Sequence, residues 1–131
     1  MIPDRLRIAH ILDSAAQLSE LVSQPKEVAL SVRANRDSLC YNFILIGEAA
    51  AAVSDDFKTA HPAVPWAVMK QMRNILVHEY MQTNMDIVWD TAVKDVPELV
   101  AQLKKLQKEL SESTSEPTDS SPASPPSSPP L

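Results

Sequence analysis

Apolar positions recur every three or four residues through most of the first 110 residues, and that period breaks at only a few places. Ile8, Ile11, Leu12, Ala15, Leu18 and Val22 predict a first helix. It opens at Pro3-Asp4, which puts proline in the first turn and an acid near the positive dipole end. Ser23-Gln24-Pro25 ends it, and a second, long helix is expected from about Lys26 to Val53. Leu39, Phe43, Ile46, Ala50 and Val53 form its clearest stripe. Leu45, Ala49 and Ala52 add a second, so the later half is apolar over a wide arc, as in the central helix of a bundle. The stretch from Ser54 to Pro65 is a connection with room for one short helical turn. Pro65-Trp66 then opens a third major helix, expected to reach about Met81. Trp66, Met69, Leu76 and Tyr80 share a stripe with Arg73 in its middle, and Val68, Met72 and Ile75 widen the apolar face. After Met81-Gln82-Thr83-Asn84, Asp86 is placed to cap a helix through Trp89 and Val93. Asp95-Val96-Pro97-Glu98 is an acidic capping box, opening a last helix with Leu99, Val100, Leu103, Leu106 and Leu110. The pattern predicts an all-α fold, a compact bundle of four or five helices.

Composition narrows the chemistry. The 131 residues include one glycine, Gly47, which excludes glycine-rich phosphate loops and argues against a hairpin-built protein. Inside a helix that glycine costs roughly 1 kcal/mol relative to alanine, so close approach of a second helix is its expected purpose. Cys40 is the one cysteine and cannot form an internal disulfide, as suits a reducing compartment. His10, His61 and His78 lie far apart, with no zinc-ligand spacing, so no metal or other cofactor is expected. The start, MIPDRLRIAH, lacks the apolar core of a signal peptide, and no run approaches ~18 apolar residues. A soluble cytoplasmic protein without membrane contact is the expectation.

The formal charge of −5 is unevenly placed. Residues 111–131 hold Glu112, Glu116 and Asp119, no base, eight serines and six prolines. Such a segment buries too little apolar surface to offset its chain entropy and is expected to be disordered. The helical domain is therefore expected over residues 1–110, with 14 acids against 12 bases.

The stretch from Arg73 to Tyr80 carries the densest chemistry: a permanent cation with five donors, an amide, an imidazole that titrates near neutral pH and a phenol. Asn74 and His78, four apart, are neighbours on one helix face. Arg73 and Tyr80 fall on nearly one azimuth, ~10 Å apart along the axis. Arg73 and His78, five apart, lie about 140° around the helix from each other, so a site using both gains from a second copy of the helix or from a bend. Residue chemistry alone leaves a plainer reading open, with Arg73 paired to a carboxylate and His78 capping the helix end. Cys40 and Tyr41 are expected in the core, His10 half-buried, and His61 in a solvated loop.

The spacing Arg73, four residues, His78, one residue, Tyr80 resembles the signature of the HepT-like branch of the HEPN superfamily, small all-α ribonuclease toxins of prokaryotic toxin–antitoxin pairs. Asn74 after the arginine is common in that signature. Ile46-Gly47-Glu48-Ala49 resembles the family's IGEA segment and Val64-Pro65-Trp66 its entry to the motif helix. Asp86-Ile87-Val88-Trp89-Asp90, followed by Val96-Pro97-Glu98-Leu99, is similar to a further family stretch. Together these cover about Leu39 to Leu103; the Ser/Pro tail lies outside the pattern.

The resemblance implies a HEPN-type homodimer whose motif helices face one another and form a metal-independent endoribonuclease site. Arg73 and His78 would be its catalytic residues, with Asn74 supporting. His78 would move the proton at the RNA 2′-hydroxyl or the leaving oxygen, Arg73 would hold the scissile phosphate, and Asn74 would orient either. The family's antitoxin resembles a minimal nucleotidyltransferase (MNT) and silences the toxin by attaching AMP to the motif tyrosine, here Tyr80. The implied partners are an RNA substrate and that antitoxin, in a dimer or a larger hetero-oligomer. The alternative is a non-catalytic helical module that docks a nucleotidyltransferase and helps it hold nucleotide or substrate.

Overall fold

In the computed structural model α1 (Asp4–Leu21) and α3 (Arg33–Ala52) pack lengthwise, and the structure describes residues 2–115, with helices and loops but no strand among them. The order continues through α2 (Lys26–Leu30), α4 (Asp55–Ala60), α5 (Trp66–His78), a 3-10 turn over Tyr80–Gln82, α6 (Met85–Lys94) and α7 (Val96–Ser115). α3 is the central element: it lies against α1 on one side and α5 on the other, while α7 closes the far side of α1.

The core is built from the stripes that the helical period picks out. α1 contributes Ile8, Ile11, Ala15 and Leu18, all fully buried. α3 adds Leu39, Cys40, Phe43, Ile46, Ala49 and Ala50; α5 adds Trp66, Met69 and Leu76; α6 and α7 add Val88, Trp89, Val96, Leu99, Leu103 and Leu106. Burial of this apolar surface is the main stabilising contribution. Polar ties fix the corners. Asp4 accepts from the Ser54 backbone N–H and hydroxyl, at 3.0 and 2.6 Å, joining the start of α1 to the cap of α4. The Trp66 indole N–H donates to the His61 carbonyl at 2.9 Å, anchoring the start of α5.

Several expectations are corrected. The single helix expected from Lys26 to Val53 is two, separated at Ser31-Val32, where Val32 is extended (φ −101°, ψ 121°). No glycine or proline marks this break. Side chains of α3 make it, since Asn35 Nδ2 donates to the Ala29 carbonyl at 3.1 Å and Arg36 Nη1 to the Leu30 carbonyl at 2.7 Å. The carbonyls left open at the end of α2 are thereby satisfied. α5 stops at His78 rather than near Met81. α6 is capped by Asn84, whose Oδ1 accepts from the Asp86 N–H at 2.9 Å; Asp86 sits in the first turn and pairs with Lys26 at 3.1 Å.

Single residues move too. Tyr41 is exposed, because it points about 200° away from Leu39 on α3. His10 is exposed for the same reason relative to Ile8. His61 is half-buried with its ring against Phe57, centroids 4.5 Å apart. Val68 and Ile75 lie outside the core, and Met72 is half-buried; with Phe43, Ile46 and Leu99 they line an open apolar groove of about 560 Å3. α7 runs past the expected boundary at 110, to Ser115, and the rest of the tail expected to be disordered lies outside the described residues.

Candidate active site on the fifth helix

Gly47 decides how closely α5 approaches α3. A Cβ at that position would lie 2.7 Å from the Met69 carbonyl oxygen and overlap the Arg73 Cβ. The glycine is there to let the two helices touch at Arg73, as its place in a helix suggests. From the next residue, Glu48 Oε2 accepts from Arg73 Nη1 at 2.9 Å. On the other side of the guanidinium, Asn74 Oδ1 accepts from Nε at 3.1 Å and from Nη2 at 2.9 Å. Arg73 is thus clamped from both flanks, with its side chain only 17% exposed, whereas Glu48 is 61% exposed.

Asn74 therefore orients Arg73, and its oxygen is occupied there rather than at His78. His78 ends α5, exposed, with no hydrogen bond to its imidazole among the described residues. The helix stays regular from Arg73 to His78, so the two side chains leave it about 140° apart. Within one copy the guanidinium is engaged by Glu48 and Asn74, and no hydrogen bond joins it to His78 among the described residues.

Tyr80 lies beyond the helix, in the 3-10 turn, so it does not share the azimuth of Arg73. Its hydroxyl donates to Asp37 Oδ1 on α3. That hydrogen bond, with partial burial adding to it, pushes the phenol from its usual value near 10 up to about 12. Thr83 Oγ1 donates to the Glu79 carbonyl at 2.9 Å and holds the turn that redirects the chain. Nearby, burial and then the charge of Asp37 push the Cys40 thiol up to about 11, and its Sγ lies 3.8 Å from the Met85 sulfur. The thiol is a core group, as its helical position predicts.

Glu48 and Asp37 are the two residues whose part the spacing alone does not disclose. Glu48 follows the only glycine, in a segment already singled out, but nothing in its spacing names Arg73 as its partner. Asp37 is 43 residues from Tyr80 and meets it only because α5 stops short. Among the described residues no group of three or more His, Cys, Asp or Glu is placed to hold a metal ion.

The model of one family, described as ribonuclease HepT-like, matches residues 11–106. A Thermococcus cleftensis protein named probable ribonuclease HepT is 39% identical over 63 residues, 48% of this chain and 57% of that protein. A Caldanaerobacter subterraneus protein named putative RNase is 44% identical over 62 residues, 47% of this chain and 55% of that one. The chain thus spans little more than half the length of these two curated relatives. A Methanocaldococcus jannaschii protein, also named putative RNase, is 27% identical over 100 residues, 73% of this chain and 92% of that one. No solved structure matches the chain significantly.

Proposed function

The chain belongs to the ribonuclease HepT-like family, and from that premise we propose that it is an endoribonuclease toxin whose cleaving site is shared by two copies. One observation carries the reading: on a single regular helix, Arg73 is held rigidly toward α3 while His78 is presented free to solvent. Each is half of a phosphoryl-transfer site, and a two-fold dimer supplies the other half. Apolar residues around this face support such a dimer, since Val77 and Met81 beside His78, and Tyr41 and Leu45 on α3, are all exposed.

In the joint site the fixed guanidinium of Arg73 binds the scissile phosphate and stabilises the charge that develops on it. His78 of the other copy takes the proton of the attacking 2′-hydroxyl and returns one to the leaving 5′-oxygen. The products are a 2′,3′-cyclic phosphate and a 5′-hydroxyl end. Glu48 must give way when the phosphate arrives, which its exposure permits.

Control belongs to the same reading. A minimal nucleotidyltransferase antitoxin attaches AMP to Tyr80, whose side chain lies two residues beyond His78 and is part-exposed. The added phosphodiester and base bring negative charge and bulk to a groove that must admit a polyanion. Purified protein incubated with RNA in a chelator tests the activity. Arg73→Ala and His78→Ala are each expected to lose at least ~100-fold in rate while the dimer persists in light scattering. Glu48→Gln should keep cleaving and bind RNA more tightly. Full activity in His78→Ala overturns the assignment. An inert wild-type chain favours the docking-module reading, in which Arg73 grips a nucleotide phosphate without turnover.

A further inference from the structure

Tyr80 opens onto a second hollow of about 350 Å3, lined also by Arg33, Arg36, Asp37, Met81, Thr83 and Met85. Its volume falls at the lower end of small-molecule sites, roughly 300–1,000 Å3. Two guanidinium groups from the first turn of α3 face the same space as a phenol and a carboxylate. Arg33 Nε lies 3.6 Å from Asp37 Oδ2 and its side chain is 80% exposed. Arg36 is held by one nitrogen to the Leu30 carbonyl, which leaves its other N–H donors for a ligand. The proposed ribonuclease site uses neither Arg33, Arg36 nor Asp37.

We propose that Asp37 is the proton acceptor for nucleotidyl transfer onto Tyr80, and that Arg33 and Arg36 receive the transferred nucleotide's phosphate in this hollow. The inference rests on the reading of Tyr80 as the modified residue. A phenol must lose its proton as its oxygen becomes bonded to phosphorus, and the Asp37 carboxylate is the group that the Tyr80 hydroxyl already hydrogen-bonds. With the phenol pushed up to about 12, spontaneous ionisation at neutral pH is rare, so a positioned base is required.

Tyr80 Oη attacks the α-phosphorus of a nucleoside triphosphate carried by the nucleotidyltransferase. The Oη–P bond forms, and the bond from the α-phosphorus to the bridging oxygen breaks. Pyrophosphate leaves with that electron pair, and the phenol proton passes to Asp37 and on to solvent. While Asp37 is protonated its hold on Arg33 weakens, and the guanidinium turns to the new phosphodiester anion. The groups facing the phenol are Asp37, Arg33, Arg36 and the neutral Cys40 thiol, so the carboxylate is the one able to accept a proton near neutral pH.

The test follows AMP addition by intact mass, with full-length protein, its nucleotidyltransferase and ATP, across a range of pH. The wild type should gain AMP and Tyr80→Phe none. Asp37→Asn should be at least ten-fold slower near neutral pH and recover as pH rises and the phenol ionises unaided. Asp37→Glu should restore most of the rate, and circular dichroism checks that each variant is folded. Arg33→Gln with Arg36→Gln should slow transfer several-fold without changing the pH profile. Transfer to Asp37→Asn at the wild-type rate, or slowed equally at every pH, overturns the role of Asp37 while leaving Tyr80 as the acceptor. An unchanged rate in the double arginine variant removes the phosphate subsite. A wild type that gains no mass overturns both the acceptor reading and this inference.

Discussion

Two carboxylates on α3 hold the side chains of Arg73 and Tyr80. Glu48 neutralises Arg73 and keeps it aimed, at the cost of competing with any phosphate. Asp37 holds Tyr80 to the body of the protein and stabilises its protonated form. The second interaction has a definite pH signature. Because the folded pKa of about 12 lies above the ordinary value near 10, the contribution to stability is complete below pH ~10. It is lost as pH rises toward 12. Ultraviolet titration of the phenolate should show one tyrosine with a strongly delayed transition, absent in Tyr80→Phe and returned toward the ordinary value in Asp37→Asn. A Tyr80 that titrates normally would contradict the hydrogen bond.

At the level of helices, the contact of α3 with α5 sets everything near the site, and Gly47 permits it. Gly47→Ala gains helix propensity, yet must push its new methyl against the Arg73 Cβ and the Met69 carbonyl. The expected net cost is about 1–3 kcal/mol, read as a fall of roughly 5–15 °C in Tm, together with slower RNA cleavage as Arg73 shifts. A variant as stable and as active as wild type would show that the helices can part freely there. The buried stripes of α1, α3 and α7 were legible because apolar period and burial coincide at Ile8, Ile11, Leu39, Ile46 and Leu103. Arg73 and His78 stand out by their spacing only as candidates, whereas the close approach of a second helix at Gly47 was legible from the glycine's place inside a helix. The break at Ser31-Val32 was not, because long-reaching side chains, Asn35 and Arg36, cap α2 where the local residues give no stop signal. The end of α5 was hidden too: Tyr80 continues the helical period, but its hydrogen bond to Asp37 lies in the turn beyond the helix. Tyr41 follows a buried cysteine, yet its azimuth on α3 turns it outward, against the expectation of a core position.

For the molecule as a whole, charge and symmetry are the deciding quantities. Residues 1–110 carry 14 acids against 12 bases, so under the proposed function RNA affinity would have to come from a local concentration of arginine rather than from the overall field. Among the described residues no helix is long and apolar enough to cross a membrane, and the exposed apolar side chains include Val77 and Met81 at and just beyond the end of α5 and Tyr41 and Leu45 on α3. In the proposed dimer a second copy on that face would cover Val77, Met81, Tyr41 and Leu45 and set the Arg73 of one subunit against the His78 of the other. Mixing separately inactive variants measures this directly. Arg73→Ala and His78→Ala chains, unfolded or dissociated together and reassembled in equal amounts, form mixed dimers that hold one complete Arg73–His78 pair across the interface. The predicted result is recovery of about a quarter of wild-type RNA cleavage, since half the dimers are mixed and each has one working site of two. No recovery, with mixed dimers demonstrated by native mass spectrometry, would contradict a site shared between two copies.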